Sequence, residues 1–395
     1  MPKSKVCTGI IGFGDDGVSI LRNNLSVTSQ LAISSFGYSP NAGGWRTSRH
    51  LRLVADMNGD KTGDIVGFGE AGVFISFNNN DNTFQTPKLV LRDFAYDGGW
   101  RIEKHPRFLA DIRRIGKADI VGFGDAGVLV ALNNGDGTFR DSFLALPDLG
   151  YSSRAGEWRV EKHLRLLGDT TGDGHPDIIA FGENFVLVAR NNRDGTFQPP
   201  KPVVSDFCYS SGWHVEKHPR FVADLTGDGR VDIVGFGDAG VYVALNNGDG
   251  TFQPVKKVVS DFGYNAGGWR VEMHPRLVAD LTGDGRNDII GFGNDGVYVS
   301  YNSGDSTFTD PQLVVNNFAY NAGGWRVELH PRFLADLTGD GTADIIGFGA
   351  FGMYVSFNKG NRGGFHPPRN IINQFTCWTG WRVDEHPRYP TNIYL

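Results

Sequence analysis

The chain has 395 residues, a formal net charge of −6, 55 glycines, 12 % aromatic residues and three cysteines. That balance argues against a nucleic-acid partner, which needs a concentrated basic face to release counterions, and Cys7, Cys208 and Cys377 are too few and too scattered for a disulfide framework or a thiolate zinc site, reading instead as small buried apolar residues. No stretch approaches the roughly 18 apolar residues of a membrane span, so no membrane insertion is expected.

The opening, MPKSKVCTGIIGFG, lacks the apolar core of a secretory signal, so a soluble protein is expected, cytoplasmic or released by a non-classical route. GIIGFGDDGVSI already lies inside a repeat. From there a tryptophan recurs at Trp45, Trp100, Trp158, Trp213, Trp269, Trp325 and Trp381, with spacings of 55 to 58 residues. Residues 218–259 show what each repeat contains: four short apolar runs, HPRFVADL, DIVGFG, GVYVALN and PVKKVV, separated by Gly-, Asp- and Asn-rich turns that read as strand boundaries. The chain stops after one first strand, WRVDEHPRYPTNIYL, and the two terminal fragments add up to one complete unit.

Four antiparallel strands repeated radially define an all-β propeller. The expected architecture is seven four-stranded blades in a single domain over residues 1–395, the ring closed by pairing the N- and C-terminal strands. A linear solenoid is the alternative, and it would leave exposed sheet edges that closure removes. In an up-and-down blade alternate loops emerge on opposite faces. The loops DLTGDGRVD and NNGDGT therefore share one face, and the GFG turn and the FGYNAGGW connection share the other.

Five copies of the first loop carry aspartates at positions one, five and nine: Asp56, Asp60, Asp64; Asp169, Asp173, Asp177; Asp224, Asp228, Asp232; Asp280, Asp284, Asp288; and Asp336, Asp340, Asp344. Position three is Asn or Thr, as at Asn58. Oxygen ligands at alternating positions around a glycine suit a structural Ca²⁺, and three crowded carboxylates repel unless a cation or protons intervene. The alternative is that they only brace hairpin turns. The Asp111–Asp119 copy, with Arg113, Arg114 and Lys117, is not expected to bind metal.

On the other face, a period-two strand through WRVEKHPR would align Arg, Glu, His and Arg, as in Arg270, Glu272, His274 and Arg276 or Arg326, Glu328, His330 and Arg332. The last Arg reads as structural, its charge paired by the glutamate; the first copy has Ser48 in the glutamate position. The first Arg (Arg46, Arg101, Arg159, Arg270, Arg326) and the His (His50, His105, His163, His218, His274, His330) lie nearer the mouth and are candidate ligand contacts. So are Trp45, Trp100, Trp158, Trp213, Trp269 and Trp325, which serve equally as core plugs. The residue after GFG is Asp15, Glu70, Asp125, Glu183, Asp238, Asn294 and then Ala350. An acceptor beside an aromatic platform and cationic donors is sugar-binding chemistry, so six usable pockets are expected, with the Ala350 copy defective. Cys377 also replaces the tyrosine found at Tyr38, Tyr96, Tyr151, Tyr209, Tyr264 and Tyr320.

The tandem GFG-x-x-GVYV, NNGDGTF and FGYNAGGWRVEKHPR motifs, running over nearly the whole chain, closely resemble the fungal lectins of the Psathyrella velutina type, and the acidic loops resemble the FG-GAP repeats of integrin α-chain propellers. The resemblance implies a seven-bladed propeller recognising terminal N-acetylglucosamine, and in some members sialic acid, between consecutive blades, with Ca²⁺ in the FG-GAP-type loops. Its partners would be glycans on glycoproteins or cell surfaces, engaged multivalently by a disc that can act as a monomer. Two rival classes stand beside this reading. A calcium-braced protein-interaction propeller of integrin type would use one wide face, and a glycosidase would need one unique carboxylate pair, whereas here the acids recur in each blade.

Overall fold

The computed structural model describes residues 8–21, 28–304 and 307–392; Cys7 lies outside them. Among these residues the chain forms seven four-stranded antiparallel sheets. In blade 5 the strands are Arg220–Ala223, Asp232–Phe236, Val241–Ala244 and Lys256–Val259, hydrogen-bonded in chain order. The second strand, DIVGF, is buried at all five residues. A continuous β-branched and aromatic run of this kind suits a strand covered on both sheet faces. The fourth strand begins with two exposed lysines, Lys256 and Lys257, which blunt the open edge.

Numbered from the ring closure, blade 1 combines Thr8–Phe13, Val18–Leu21 and Gln30–Ile33 with the terminal strand Arg388–Asn392. Ile10 faces Pro390 and Gly12 faces Arg388 across that antiparallel seam. Blades 2 to 7 then occupy residues 51–91, 107–146, 164–204, 220–259, 276–315 and 332–372. No helix among the described residues is long and apolar enough to cross a membrane.

Two kinds of contact recur between neighbouring blades, the first at five of the seven seams among the described residues and the second at all seven. On the acidic-loop face, the Asn246 side-chain amide donates to the Thr170 carbonyl of the preceding blade at 2.9 Å, as Asn133 does to Met57, Asn191 to Ile112, Asn302 to Leu225 and Asn358 to Leu281. Deeper in the seam, the buried Arg220 lies 5.5 Å from the Phe181 ring of the preceding blade and donates to the Phe207 carbonyl at 2.7 Å. Arg52, Arg107, Arg165, Arg276, Arg332 and Arg388 repeat the ring contact at 5.4 to 5.7 Å.

This last arginine is structural, but not through the expected salt-bridge ladder. No ion pair joins it to the ladder glutamate among the described residues, and burial pushes Arg220 down to about 10. The reason is that RVEKH is not a strand. The Arg270 amide donates to His274 Nδ1 at 3.1 Å while the His274 amide donates to the Arg270 carbonyl at 2.7 Å, closing a tight turn that ends before the strand starts at Arg276. Period-two alternation therefore does not apply, and Glu272 and Arg276 do not share a face.

Candidate functional site at the blade seams

The turn after GFG and the connection leaving the blade are tied together by backbone bonds, such as Tyr264 N–H to Gly237 O at 3.0 Å and Tyr38 N–H to Gly14 O at 3.0 Å. Both motifs thus share one face, opposite the acidic loops. Each seam is walled by the connection entering a blade, which brings Trp and His, by the blade's own turn, which brings the acid, and by the connection leaving it, which brings Tyr.

The tryptophans are plugs. Trp45, Trp100, Trp158, Trp213, Trp269 and Trp325 are 4 to 8 % exposed. Trp213 packs 4.8 Å from Phe207 and its indole N–H donates to Asp206 at 2.7 Å. Its far edge covers Gly235, where a Cβ would stand 2.6 Å from the indole and 2.7 Å from Phe207. Blade 4 carries Ala180 at the glycine position, and there the phenylalanine is replaced by the smaller Leu149. The chain itself shows that the added methyl and the lost aromatic ring compensate.

Above the indole, each imidazole meets the turn side chain, an acid in four of these seams and the Asn294 amide in the fifth. The Nε2 to oxygen distances are 2.8 Å for His50 and Glu70, 3.2 Å for His105 and Asp125, 3.3 Å for His163 and Glu183, 3.2 Å for His218 and Asp238, and 2.9 Å for His274 and Asn294. Since Nδ1 accepts a backbone N–H in each, the neutral ring carries its proton on Nε2 and donates it to the turn residue. Burial holds His50, His105, His163, His218 and His274 below the usual imidazole value. The carboxylates stay exposed: at Asp238, 49 % exposed, one oxygen is held by the imidazole and the other faces solvent, whereas at Glu70 the second oxygen accepts from Arg49 at 2.5 Å and offers a ligand only its remaining lone pair. At Asn294 the oxygen is used by His274, and the amide N–H groups point outward instead.

The first arginines are engaged within their own connections. Arg46, Arg101, Arg159, Arg270 and Arg326 stack 3.6 to 3.9 Å over the tyrosine of their own connection, and each donates to that tyrosine's carbonyl. They rigidify the leaving wall. Reaching over the next tyrosine is a residue not singled out from the sequence, the one before His: Arg49 over Tyr96, Lys104 over Tyr151, Lys162 over Tyr209 and Lys217 over Tyr264, at 4.0 to 4.9 Å. Lys217 Nζ also stands 3.5 Å from Asp238.

Ring closure changes the pairing of the sets. Asp15 is met by His386, at 3.2 Å, above Trp381. These two residues were missing from the candidates, although the completion of blade 1 by the terminal strand was the signal that places them there. Their cavity, of about 280 Å³, is lined by Asp15, Asp16, Trp381 and His386, and its counterpart of about 310 Å³ by Trp45, His50, Glu70 and Phe74. Trp325 and His330, included as candidates, face Ala350 and Cys377 instead of an acid and a tyrosine. Both departures therefore fall in one seam, and Cys377 is only partly buried, whereas Cys208 is fully so.

On the opposite face the acidic loops are closed largely by their own backbone. Asp224 accepts from Gly227 and Gly229 N–H at 2.7 and 2.8 Å, and Asp232 from Leu225 and Asn246 N–H at 2.8 and 2.7 Å. Burial pushes Asp232, Asp288 and Asp344 up to about 6 and Asp64 up to about 7. Each ninth-position aspartate is thus turned inward as a hairpin brace. At position five, Asp173 pairs with Arg193 and His175, Asp228 with Arg230 and Asp284 with Arg286. In the Asp111 loop Arg113 makes a two-point bond with Asp119, at 2.7 and 3.1 Å. Among the described residues no three Asp, Glu, His or Cys side chains converge on one point as a metal site. The donor set for a hard cation is freest of cationic competitors in the Asp56/Asn58/Asp60 and Asp336/Thr338/Asp340 loops, where position five is held by Thr62 and Thr342.

The fold and its repeated seams define a seven-bladed propeller of FG-GAP-like repeats, and the model of that repeat family matches residues 224–274 and 280–378. Among solved structures, the chain is similar to an Agrocybe aegerita lectin described as specifically recognising non-reducing terminal N-acetylglucosamine, with 51 % identity, a TM-score of 0.95, and coverage of 100 % of this chain and 97 % of that one. The chain belongs to the family of the fungal lectins of the Psathyrella velutina and Agrocybe aegerita type. A more distant likeness, to the Photorhabdus luminescens Tc holotoxin pore, has 18 % identity, a TM-score of 0.50, and coverage of 81 % of this chain and 14 % of the other, and reflects the fold alone. No curated protein matches the chain.

Proposed function

We propose that the protein is a multivalent lectin that takes terminal N-acetylglucosamine at six blade seams and performs no catalysis. The observation that carries this reading is the repetition of one motif, an exposed acceptor fixed by an imidazole Nε2 above an indole floor, in a chain 51 % identical over its full length to an N-acetylglucosamine-recognising lectin. The free carboxylate oxygen accepts a sugar hydroxyl, and the Nε2–H bond stops the carboxylate from rotating away. Preorganisation of this kind lowers the ordering cost of binding. The residues proposed as contacts are the turn residues Asp15, Glu70, Asp125, Glu183, Asp238 and Asn294, joined in four of the six seams by the cation before His: Arg49, Lys104, Lys162 and Lys217. The imidazoles position the acids and the tryptophans hold the floor. A sugar bearing a carboxylate, such as sialic acid, is best accommodated at Asn294, where outward amide N–H groups replace a carboxylate.

Calcium enters the proposal as a structural brace in the Asp56 and Asp336 loops, with Asp56, Asn58, Asp60, Asp336, Thr338 and Asp340 as donors. In the other three loops the fifth aspartate already has an arginine. Calorimetric titration tests the whole reading. About six equivalents of N-acetylglucosamine per chain support it; absence of binding favours the protein-interaction propeller, and turnover of chitobiose favours a glycosidase.

A further inference from the structure

Blade 7 carries a seam that has been rebuilt at five positions at once. The turn acid is Ala350, the next residue is Phe351 where blades 2, 3 and 5 have alanine, the lysine position is Leu329, the tyrosine is Cys377, and the small polar residue after it is Trp378. Phe351, Trp378 and Leu329 are 63, 76 and 44 % exposed, and the two aromatic rings stand 5.5 Å apart, forming an apolar lip. Beneath it, His330 is 8 % exposed and has Nδ1 occupied by the Arg326 N–H at 3.1 Å, so its proton lies on Nε2. In the six sister seams that N–H has an oxygen acceptor. Here, among the described residues, its side-chain partner is Cys377 Sγ, at 3.7 Å.

We infer that this seam is not a decayed sugar site but a covalent capture site, in which Cys377 adds to apolar α,β-unsaturated carbonyl compounds. The lip supplies apolar contact, the thiol is the nucleophile, and the buried N–H supplies a donor for developing negative charge. In the addition a bond forms between Sγ and the β-carbon while the C=C electron pair moves onto the carbonyl oxygen. The proton lost by sulfur finishes on the α-carbon, so the S–H has added across the double bond and neither oxidant nor leaving group is needed. His330 donates its Nε2–H to the charged sulfur or to the enolate oxygen without changing its own protonation. The inference does not depend on the lectin reading, because none of the five residues belongs to a proposed sugar seam.

The test treats the intact protein with N-phenylmaleimide and, separately, with N-(2-carboxyethyl)maleimide, and follows each cysteine by peptide mass mapping, which separates Cys377 from Cys7 and Cys208. The expected result is labelling of Cys377 while Cys208 stays unreacted until the protein is unfolded. The preference of Cys377 for the phenyl reagent should exceed that of N-acetylcysteine by about tenfold. Trp378→Ser and Phe351→Ala, both exposed and tolerated by analogy with the other blades, should remove that preference while leaving the carboxyethyl rate in place; His330→Asn should slow both reagents. A Cys377 as inert as Cys208, or one whose phenyl preference equals that of the free thiol, overturns the inference.

Discussion

Replacing Asp238 by Ala is the most informative single substitution. The carboxylate accepts from His218 Nε2 at 3.2 Å, lies 3.5 Å from Lys217 Nζ and is half exposed, so its second oxygen is the one offered to ligand. A hydrogen bond to a charged group contributes roughly 1.5 to 3 kcal/mol, so losing one weakens that seam by about 10- to 150-fold. At monosaccharide concentrations that saturate the other seams, the altered one drops out. Calorimetry should return about five equivalents where the parent returns six, with the enthalpy per site unchanged. The fold should survive, because blade 7 already presents this arrangement: Ala350 opposite His330. The stability cost is about 1 kcal/mol, water taking over the acceptor role at an open position. An unchanged stoichiometry in a properly folded variant would refute the assignment of the turn acids.

Three further outcomes follow from the geometry. Gly235→Ala should destabilise the protein by about 1 to 3 kcal/mol through overpacking against Trp213 and Phe207, and adding Phe207→Leu should recover most of that loss, as Leu149 accompanies Ala180; a double-mutant cycle in denaturant with no coupling counts against the packing argument. Burial holds His50, His105, His163, His218, His274 and His330 below 6.5, so ring ¹⁵N shifts should show them less charged at pH 6.5 than a free imidazole, which is half charged there, with the neutral form's proton on Nε2. The native state then binds fewer protons than the unfolded chain, and each ring's share of stability is lost as pH falls from 6.5 toward its folded value; midpoints at or above 6.5 would contradict this. Chelation should lower the melting temperature of the parent and of Asp228→Ala, but not of a chain carrying both Asp60→Ala and Asp340→Ala, and a parent insensitive to chelation rules out occupied loops.

Much of this architecture could be read directly from residues. The period of the tryptophans, the DIVGF runs and the matching terminal fragments specify blade number and closure, because each strand must bury its own apolar run against two neighbours. The sorting of loops onto faces followed from strand alternation alone. What alternation could not reveal was the RVEKH turn. His274 Nδ1 takes a backbone N–H, and a side chain closing a turn on its own main chain looks the same in sequence as a polar residue on a strand. The ladder expected there dissolved for that reason, and the last arginines found aromatic rings in place of glutamates. The pairing of Asp15 with His386 was missed although the closing strand implies it, because the site residues were matched along the chain and these two are separated by nearly the whole of it. Ala350 and Cys377 stood out as separate oddities, and only the fold shows that they face each other through one seam.

The account rests on equivalent crevices repeated at the blade seams, and a crystal soaked with N-acetylglucosamine tests that directly. It predicts sugar density beside Asp15, Glu70, Asp125, Glu183, Asp238 and Asn294, each ligand within hydrogen-bond reach of the turn side chain, and none beside Ala350. Density confined to the central channel, to the acidic-loop face or to one seam alone would contradict it.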